Sequence, residues 1–308
     1  MVRSKWLEIF SGYFSFDKGE IVDKNRKRSV IKFTLYDPSC GTDRIFYLKR
    51  FYANTLRENV YSIFEWGYPK SEAKTEWDNA QILVKEGFLT IPCVAYGEHK
   101  KWGIIKQSFF ISEEIPQSEP LDQLYETLND TIRQNVPRTL GNLIKALHEK
   151  HISFPDLYTK HLFINKGDLL LEKITVSLID LHRMRQKKRL SNTDKIRDLA
   201  ALLFTLESLL SPAEIGALVH SYMSGRAITQ RWNNLLAKRI ERLKKRRSTE
   251  RGILIRQSGD SNTAVYVNEE YYPYFEAHNL LSYNELFNYQ TEKENLLIIR
   301  EEQYSGSY

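Results

Sequence analysis

The stretch that decides the fold runs from His151 to Arg183, "HISFPDLYTKHLFINKGDLLLEKITVSLIDLHR". It contains two short apolar runs, "HLFI" and "VSLI", each short enough to be a strand. Asp156 follows a proline and precedes the first run, and Asp180 closes the second. Three histidines accompany them: His151, His161 and His182. Two carboxylates at the ends of neighbouring strands can face one site and take different tasks there.

Toward the N-terminus, "RSVIKFTLY" alternates with Ile31, Phe33 and Leu35 on one face. "RIFYLKRF" alternates likewise with Ile45, Tyr47, Lys49 and Phe51. The turn-rich connector "DPSCGTD" predicts a hairpin. Lys49 then lies on an apolar face, an unusual place for a charge. "SEAKTEWDNAQILVKEG" reads as a helix with Ser71 as N-cap, Gly87 as its end and Ala73, Trp77, Ala80 and Val84 on the buried stripe. Glu76 neighbours that stripe. "IPCVAYGE" and "WGIIKQSFFISEEI" supply two more strands.

After Pro120 the pattern becomes helical, with Leu140, Leu143, Ile144 and Leu147 at i, i+3, i+4 and i+7. "KIRDLAALLFTLESLL" is apolar nearly all round, which predicts a buried helix. "SPAEIGALVHSYMSG" has a capping-box start at Ser211 with Pro212 and Glu214. "QRWNNLLAKRIERLKKRRSTER" is a strongly basic helix. From Gly252 the composition shifts to Gly, Ser and Asn, then to aromatics and an acidic end.

The chain has 308 residues and a net charge of +6. That length accommodates two lobes with real cores. No apolar run approaches the ~20 residues needed to span a bilayer. The opening "MVRSKWLEIFSGYFSF" is too aromatic and interrupted for a signal peptide, which predicts a cytoplasmic protein. Cys40 and Cys93 offer neither a disulfide framework nor metal-type spacing. The positive surplus suits nucleic acid, a membrane surface or a phosphorylated substrate, and does not choose among them.

Phosphoryl transfer from ATP requires a strand lysine for the phosphates, a helical Glu to orient it, an Asp to accept the hydroxyl proton and a strand-end Asp for the metal. The protein-kinase catalytic loop has the pattern H-R-D-x-x-x-x-N, followed later by D-F-G. Phe154-Pro155-Asp156 falls at the first position, His161 at the Asn, and Asp180-Leu181-His182 at D-F-G. Singly, each residue has an ordinary explanation. Lys49 could snorkel, Asp156 and Asp180 could be turn residues, and Asp198 could complement a helix dipole. Their joint order is the signal.

"FYLKRF", "EWDNAQIL", "VAYGE", "PDLYTKHLF", "LIDLHR" and "IRDLAALLF", in that order, resemble the lipopolysaccharide kinases, the group of the inner-core heptose kinase and the Kdo kinase. The resemblance covers about Ile31 to Arg247 and rests most on "DLYTKHLF" followed by "IDLHR". It implies an α+β, two-lobed protein-kinase-like fold with a small antiparallel-sheet N-lobe and a larger helical C-lobe. The expected boundaries are 1–113 for the N-lobe, 114–251 for the C-lobe and 252–308 for an extension of unassigned role.

By the same resemblance, Lys49 corresponds to the nucleotide-phosphate lysine and Glu76 to its helical partner. Asp156 corresponds to the catalytic base, with Asp180 and His161 on the metal. Asp198 corresponds to a structural aspartate that holds the catalytic loop. Glu114, in "ISEEI", falls where the chain between the lobes would grip adenine by its backbone. The implied ligands are ATP and Mg2+, with Mn2+ as the alternative, and the implied acceptor is a glycolipid or other sugar hydroxyl of the lipopolysaccharide inner core. Since magnesium prefers oxygen ligands, a phosphate hydrogen bond is the favoured role for His161.

There are two departures from the pattern. Phe154 stands two residues before Asp156 where the family usually has His, and no glycine-rich phosphate loop is present. "VDKNRKRSV" is the candidate covering turn.

Rival readings are a small-molecule or protein kinase of the same fold, a catalytically dead kinase-like module, and a nucleic-acid binder driven by the basic helix. No recognition motif supports the last, and no nucleic acid is expected. A metal site of two His plus a carboxylate from His148, His151, His161 and His182 also competes, but His148 and His151 sit at a helix end, where dipole partners are expected. Lys238–Arg251 suits docking on an anionic bilayer, placing the enzyme peripherally at the inner face of the inner membrane.

Overall fold

The computed structural model describes residues 11–25, 27–39, 41–52, 68–227 and 229–250, plus strands at 252–256, 264–268 and 299–300, with side chains described up to residue 246. The chain divides into two compact units, Met1–Leu236 and Ala237–Tyr308.

The small lobe of the first unit is built on an antiparallel sheet. Its strands are β1 (Glu20–Lys24), β2 (Arg28–Asp37), β3 (Thr42–Phe51), β5 (Cys93–Lys101) and β6 (Ile104–Glu113), in the order β1-β2-β3-β6-β5. The predicted β2–β3 hairpin forms with Val30 opposite Lys49. Strand β1 was not legible as a strand. It is a mostly exposed, charged edge strand, and charge at an edge blocks further pairing. The expected covering turn is therefore the tip of the β1–β2 hairpin. Asn25 Oδ1 accepts from the N–H groups of Lys27 and Arg28 at 2.8 and 2.9 Å and closes that tip without glycine. Between β5 and β6 the two-residue loop Trp102-Gly103 has φ of 52° and 77°, the left-handed pair that a tight hairpin of this kind requires.

Helix α1 (Glu72–Lys85) packs beside the sheet. Ser71 caps it, accepting from the Lys74 N–H at 3.0 Å, and Gly87 follows its end at φ 85°. Its inward face differs from the expected stripe. Val84 is exposed, and Leu83 is buried with Ala73, Glu76, Asn79 and Ala80. Three polar residues, Thr75, Glu76 and Asn79, lie inside because each has a partner there.

In the large lobe, α2 (Asp130–Glu149), α3 (Asn192–Leu206) and α4 (Pro212–Tyr222) form the helical body. Leu140, Ile144 and Leu147 are buried as their spacing predicts, and Leu143 is half-buried. The expected cap on α4 forms, Ser211 with Glu214 making a capping box, and α3 has one as well, made by Ser191 with Asp194. Gly141 permits the α2–α4 contact, since a Cβ there would sit 2.4 Å from the Leu218 carbonyl oxygen. Helix α3 is buried on nearly every side, from Ile196 to Leu206.

The large lobe also carries a four-stranded sheet, β4-β10-β9-β7, formed by Leu89–Thr90 (β4), Ser118–Pro120 (β7), Leu162–Asn165 (β9) and Val176–Leu178 (β10). A two-stranded ribbon pairs β8 (Ile152–Ser153) with β11 (Arg185–Gln186). The two apolar runs of the opening stretch are β9 and β10, antiparallel neighbours.

Helix α5 (Gln230–Glu250) is the predicted basic helix; Arg251 lies outside the described residues. The second unit takes up the end of α5 and an antiparallel sheet of β12 (Gly252–Arg256), β13 (Ala264–Asn268) and β14 (Ile299–Arg300).

Candidate active site

Lys49 projects from β3 on the face covered by α1. Its ammonium donates to Glu76 Oε1 at 2.5 Å and stands 3.7 Å from Asp180 Oδ1. Glu76 is buried, so its charge must be paired. Burial pulls the Lys49 pKa down, but the charges of Glu76 and Asp180 outweigh it and hold the amine above its ordinary value. One lysine thus joins α1 of the small lobe to the end of β10 in the large lobe.

Asp180 follows β10 at φ 60° and ψ 59°, the left-handed region that a non-glycine residue occupies at a cost of about 1–3 kcal/mol. Three cationic or imidazole groups surround its carboxylate: His182 Nδ1 at 3.0 Å, His161 Nε2 at 3.5 Å and Lys49. Burial disfavours the charge. The hydrogen bond from His182 and the Lys49 charge overcome it, and the carboxyl is held far below the usual carboxylate range. Next to Asp180, Leu181 and Met184 are buried, and their backbone carbonyls both accept from Asn79 Nδ2, at 2.7 and 2.9 Å. Helix α1 therefore fixes the turn after Asp180 through Asn79, a residue sequence reasoning did not single out.

Asp156 sits between β8 and β9 and is 5% exposed. Its Oδ1 accepts from Arg183 Nη1 at 2.8 Å. Its backbone carbonyl accepts from His161 Nδ1 at 2.7 Å. A carbonyl oxygen can only accept, so Nδ1 carries the proton. Burial holds the His161 pKa below its ordinary value, so the neutral ring is favoured and Nε2 presents a lone pair toward Asp180. That tautomer suits a cation ligand and leaves no Nε2–H for a phosphate, the role favoured for His161 above.

Asp198 is fully buried on α3. Its Oδ2 accepts from the Phe154 N–H at 2.7 Å and its Oδ1 from Arg197 Nε at 3.2 Å. Arg197 also donates to Ser153 Oγ at 2.5 Å. The chain entering the Asp156 loop is thereby held from α3. Phe154 is 1% exposed, so its ring is packed in the core while its N–H is held by Asp198.

Glu114 lies at the other end of the sheet face. Its N–H donates to the Ile45 carbonyl at 2.8 Å, and its carboxylate accepts from Tyr47 Oη at 2.9 Å and Lys32 Nζ at 3.2 Å. The expected backbone grip on adenine is therefore not available from the Glu114 N–H.

The histidines do not share a metal site. His148 pairs through Nδ1 with Tyr222 Oη at 2.9 Å and stands 3.5 Å from Asp198, while His151 occupies a left-handed turn at φ 58°. Among the described residues no group of three His, Cys, Asp or Glu side chains is placed to hold a metal ion. A cation shared with phosphate oxygens needs fewer protein ligands, and the ionised Asp180 with the His161 lone pair fits that case.

A strand lysine paired to a helical glutamate, one carboxylate at a loop and a second at a strand end define a phosphotransferase of the protein-kinase-like class. The model of the lipopolysaccharide kinase (Kdo/WaaP) family matches residues 13–222, and the chain belongs to that family: it is a lipopolysaccharide kinase. Curated relatives include the lipopolysaccharide core heptose(I) kinase WaaP of Escherichia coli K12, 23% identical over 240 residues that cover 74% of this chain and 88% of the relative. WaaP of Pseudomonas aeruginosa is 23% identical over 143 residues, 44% of this chain and 53% of the relative. Among solved structures, WaaP in complex with acyl carrier protein aligns with a TM-score of 0.60 at 19% identity, covering 77% of this chain and 92% of that one. That likeness supports the two-lobed fold expected from the sequence.

Proposed function

We propose that this kinase moves the γ-phosphoryl group of ATP to a sugar hydroxyl of the lipopolysaccharide inner core, on heptose or Kdo. The observation that carries the reading is Lys49, whose ammonium reaches both Glu76 and Asp180 and so unites the two halves of the site. Asp156 accepts the hydroxyl proton as the acceptor oxygen attacks the γ-phosphorus. Lys49 neutralises nucleotide phosphates, and Glu76 keeps it extended. Glu114, Lys32 and Tyr47 lie toward the base end. Asp180 and His161 would hold a divalent cation, Mg2+ or Mn2+. Such a cation, when bound, neutralises charge on the β- and γ-phosphate oxygens. Asp198 holds the Asp156 loop in place.

The lobes meet at 113/114, and 252–308 is an extension. Among the described residues no helix is long and apolar enough to cross a membrane. Lys238–Arg251 docks the cytoplasmic enzyme on the anionic inner face of the inner membrane, where a glycolipid acceptor is displayed. The test is Asp156→Asn assayed on core oligosaccharide with ATP. Turnover falls about 10²–10⁴-fold and ATP binding is retained. Turnover within a few-fold of wild type removes Asp156 from the mechanism.

A further inference from the structure

Arg183 has no role in the chemistry above, yet its guanidinium lies 2.8 Å from the carboxylate of the base. Its side chain is 56% exposed. Asp156 at the other end of the pair is only 7% exposed, so the contact joins a buried carboxylate to a guanidinium that is more than half open to solvent. A guanidinium carries five N–H donors, so one can hold the base while others remain for a ligand. The arrangement is favourable if the cation serves a second purpose at the same spot.

The backbone bearing Arg183 is fixed on both sides. Leu181 and Met184 are fully buried, and Asn79 binds both of their carbonyls. Just beyond, Arg185 pairs with Ser153 in the β8–β11 ribbon, beside the strand that leads to Asp156. Arg183 is thus the outward residue of a locked turn. Among the described residues its hydrogen bonding is limited to one donor, Nη1, so the other guanidinium N–H groups face outward.

We propose that Arg183 is a specificity residue that binds an anionic group, phosphate or carboxylate, on the acceptor next to the hydroxyl being phosphorylated. This rests on the reading of Asp156 as the base of a sugar kinase. In the ligand-free site Arg183 rests on Asp156. With acceptor present its outward N–H groups take the anion, and the hydroxyl is brought against the carboxylate. A guanidinium suits this task because its fork of donors can serve two oxygens at once.

The experiment compares the full-length wild-type chain, Arg183→Gln and Arg183→Lys on three acceptors: native core oligosaccharide, the same oligosaccharide with its carboxylates methyl-esterified, and the same after phosphatase treatment. For the native acceptor, Arg183→Gln lowers kcat/KM about 10–100-fold, the worth of one charge-assisted hydrogen bond, and Arg183→Lys loses less. Wild type loses a similar factor on whichever neutralised acceptor lacks the recognised group, and Arg183→Gln shows no further loss on that one. The identity of that acceptor tells carboxylate from phosphate. An equal loss for Arg183→Gln on all three acceptors overturns the proposal and makes Arg183 only a holder of Asp156. Absence of wild-type turnover on every acceptor fails the sugar-kinase reading instead, and the proposal with it.

Discussion

Asp180 and Asp198 are the same residue type, eighteen positions apart in the chain, and their surroundings are opposite in kind. Asp198 has no solvent exposure and is met by donors that belong to the framework, the Phe154 N–H and Arg197, with His148 Nε2 standing 3.5 Å away. Asp180 is partly accessible and is met by side chains that can change partner: Lys49, His182 and His161. A carboxylate committed to a neighbouring backbone N–H and a framework arginine contributes to architecture. A carboxylate whose partners are exchangeable cations has its charge kept ready for a ligand. The left-handed backbone at Asp180 adds to this contrast, because strain persists where the surroundings enforce it for a purpose.

The comparison can be broken at either end. The largest expected effect is Asp198→Ala, which leaves Arg197 and the Phe154 N–H without their buried acceptor. Chemical denaturation should show a loss of about 3–5 kcal/mol, the range for one partner removed from a buried charged network. A loss under about 1 kcal/mol would mean that the loop is held by other contacts.

Asp180→Asn comes next, with turnover reduced about 10²–10³-fold. Its dependence on Mg2+ or Mn2+ concentration should largely vanish while cooperative unfolding is retained. If the variant instead unfolds as readily as Asp198→Ala, Asp180 is as structural as Asp198.

Glu76→Gln sharpens the contrast within the small lobe. The amide keeps the shape and loses the charge that Lys49 balances, and kcat/KM for ATP should fall about 10–100-fold, as for a charge-assisted contact. Lys49 retains Asp180 as a partner, so the fall should be smaller than for Asp180→Asn.

The smallest effect is in pH. The His182 pKa is pulled down by burial and raised more strongly by its hydrogen bond and charge interaction with Asp180, so it lies above the ordinary 6.5. A raised value in the fold means that its stabilisation is complete below about pH 6.5 and is lost as pH rises through the folded value. Metal-free protein should therefore lose some stability on the alkaline side, and His182→Gln should flatten that decline. His161, held low by burial, acts on the acid side, where protonation disfavours the fold. A decline unchanged by His182→Gln would show that the Asp180–His182 contact is not the source.

Much of this site was legible because kinase chemistry imposes an order along the chain. Lys49 on an apolar strand face, Glu76 beside a helical stripe and carboxylates at the ends of "FPD" and "LID" are visible as departures from ordinary patterning. Other features leave no such trace. Strand β1 has the composition of a loop because an exposed edge strand tolerates charge. The inward face of α1 was placed one residue off at Val84, since hydrophobicity favours Val84 over Asn79. Asn79 is inside because the Leu181 and Met184 carbonyls, over 100 residues away in sequence, need a donor.

The sequence by itself determined the main helices and the longer strands, the two-lobed class and the roster of acids, because local periodicity and the order of motifs are carried by the chain. Only the tertiary structure decided which partner each charge has. It committed the Glu114 N–H to Ile45. It protonated Nδ1 of His161 by placing a carbonyl against it and turned Nε2 toward Asp180. It also set Arg183, an unremarkable surface arginine in sequence, against Asp156. Charge pairing acts over a few ångströms between residues far apart in the chain, and no local pattern records it.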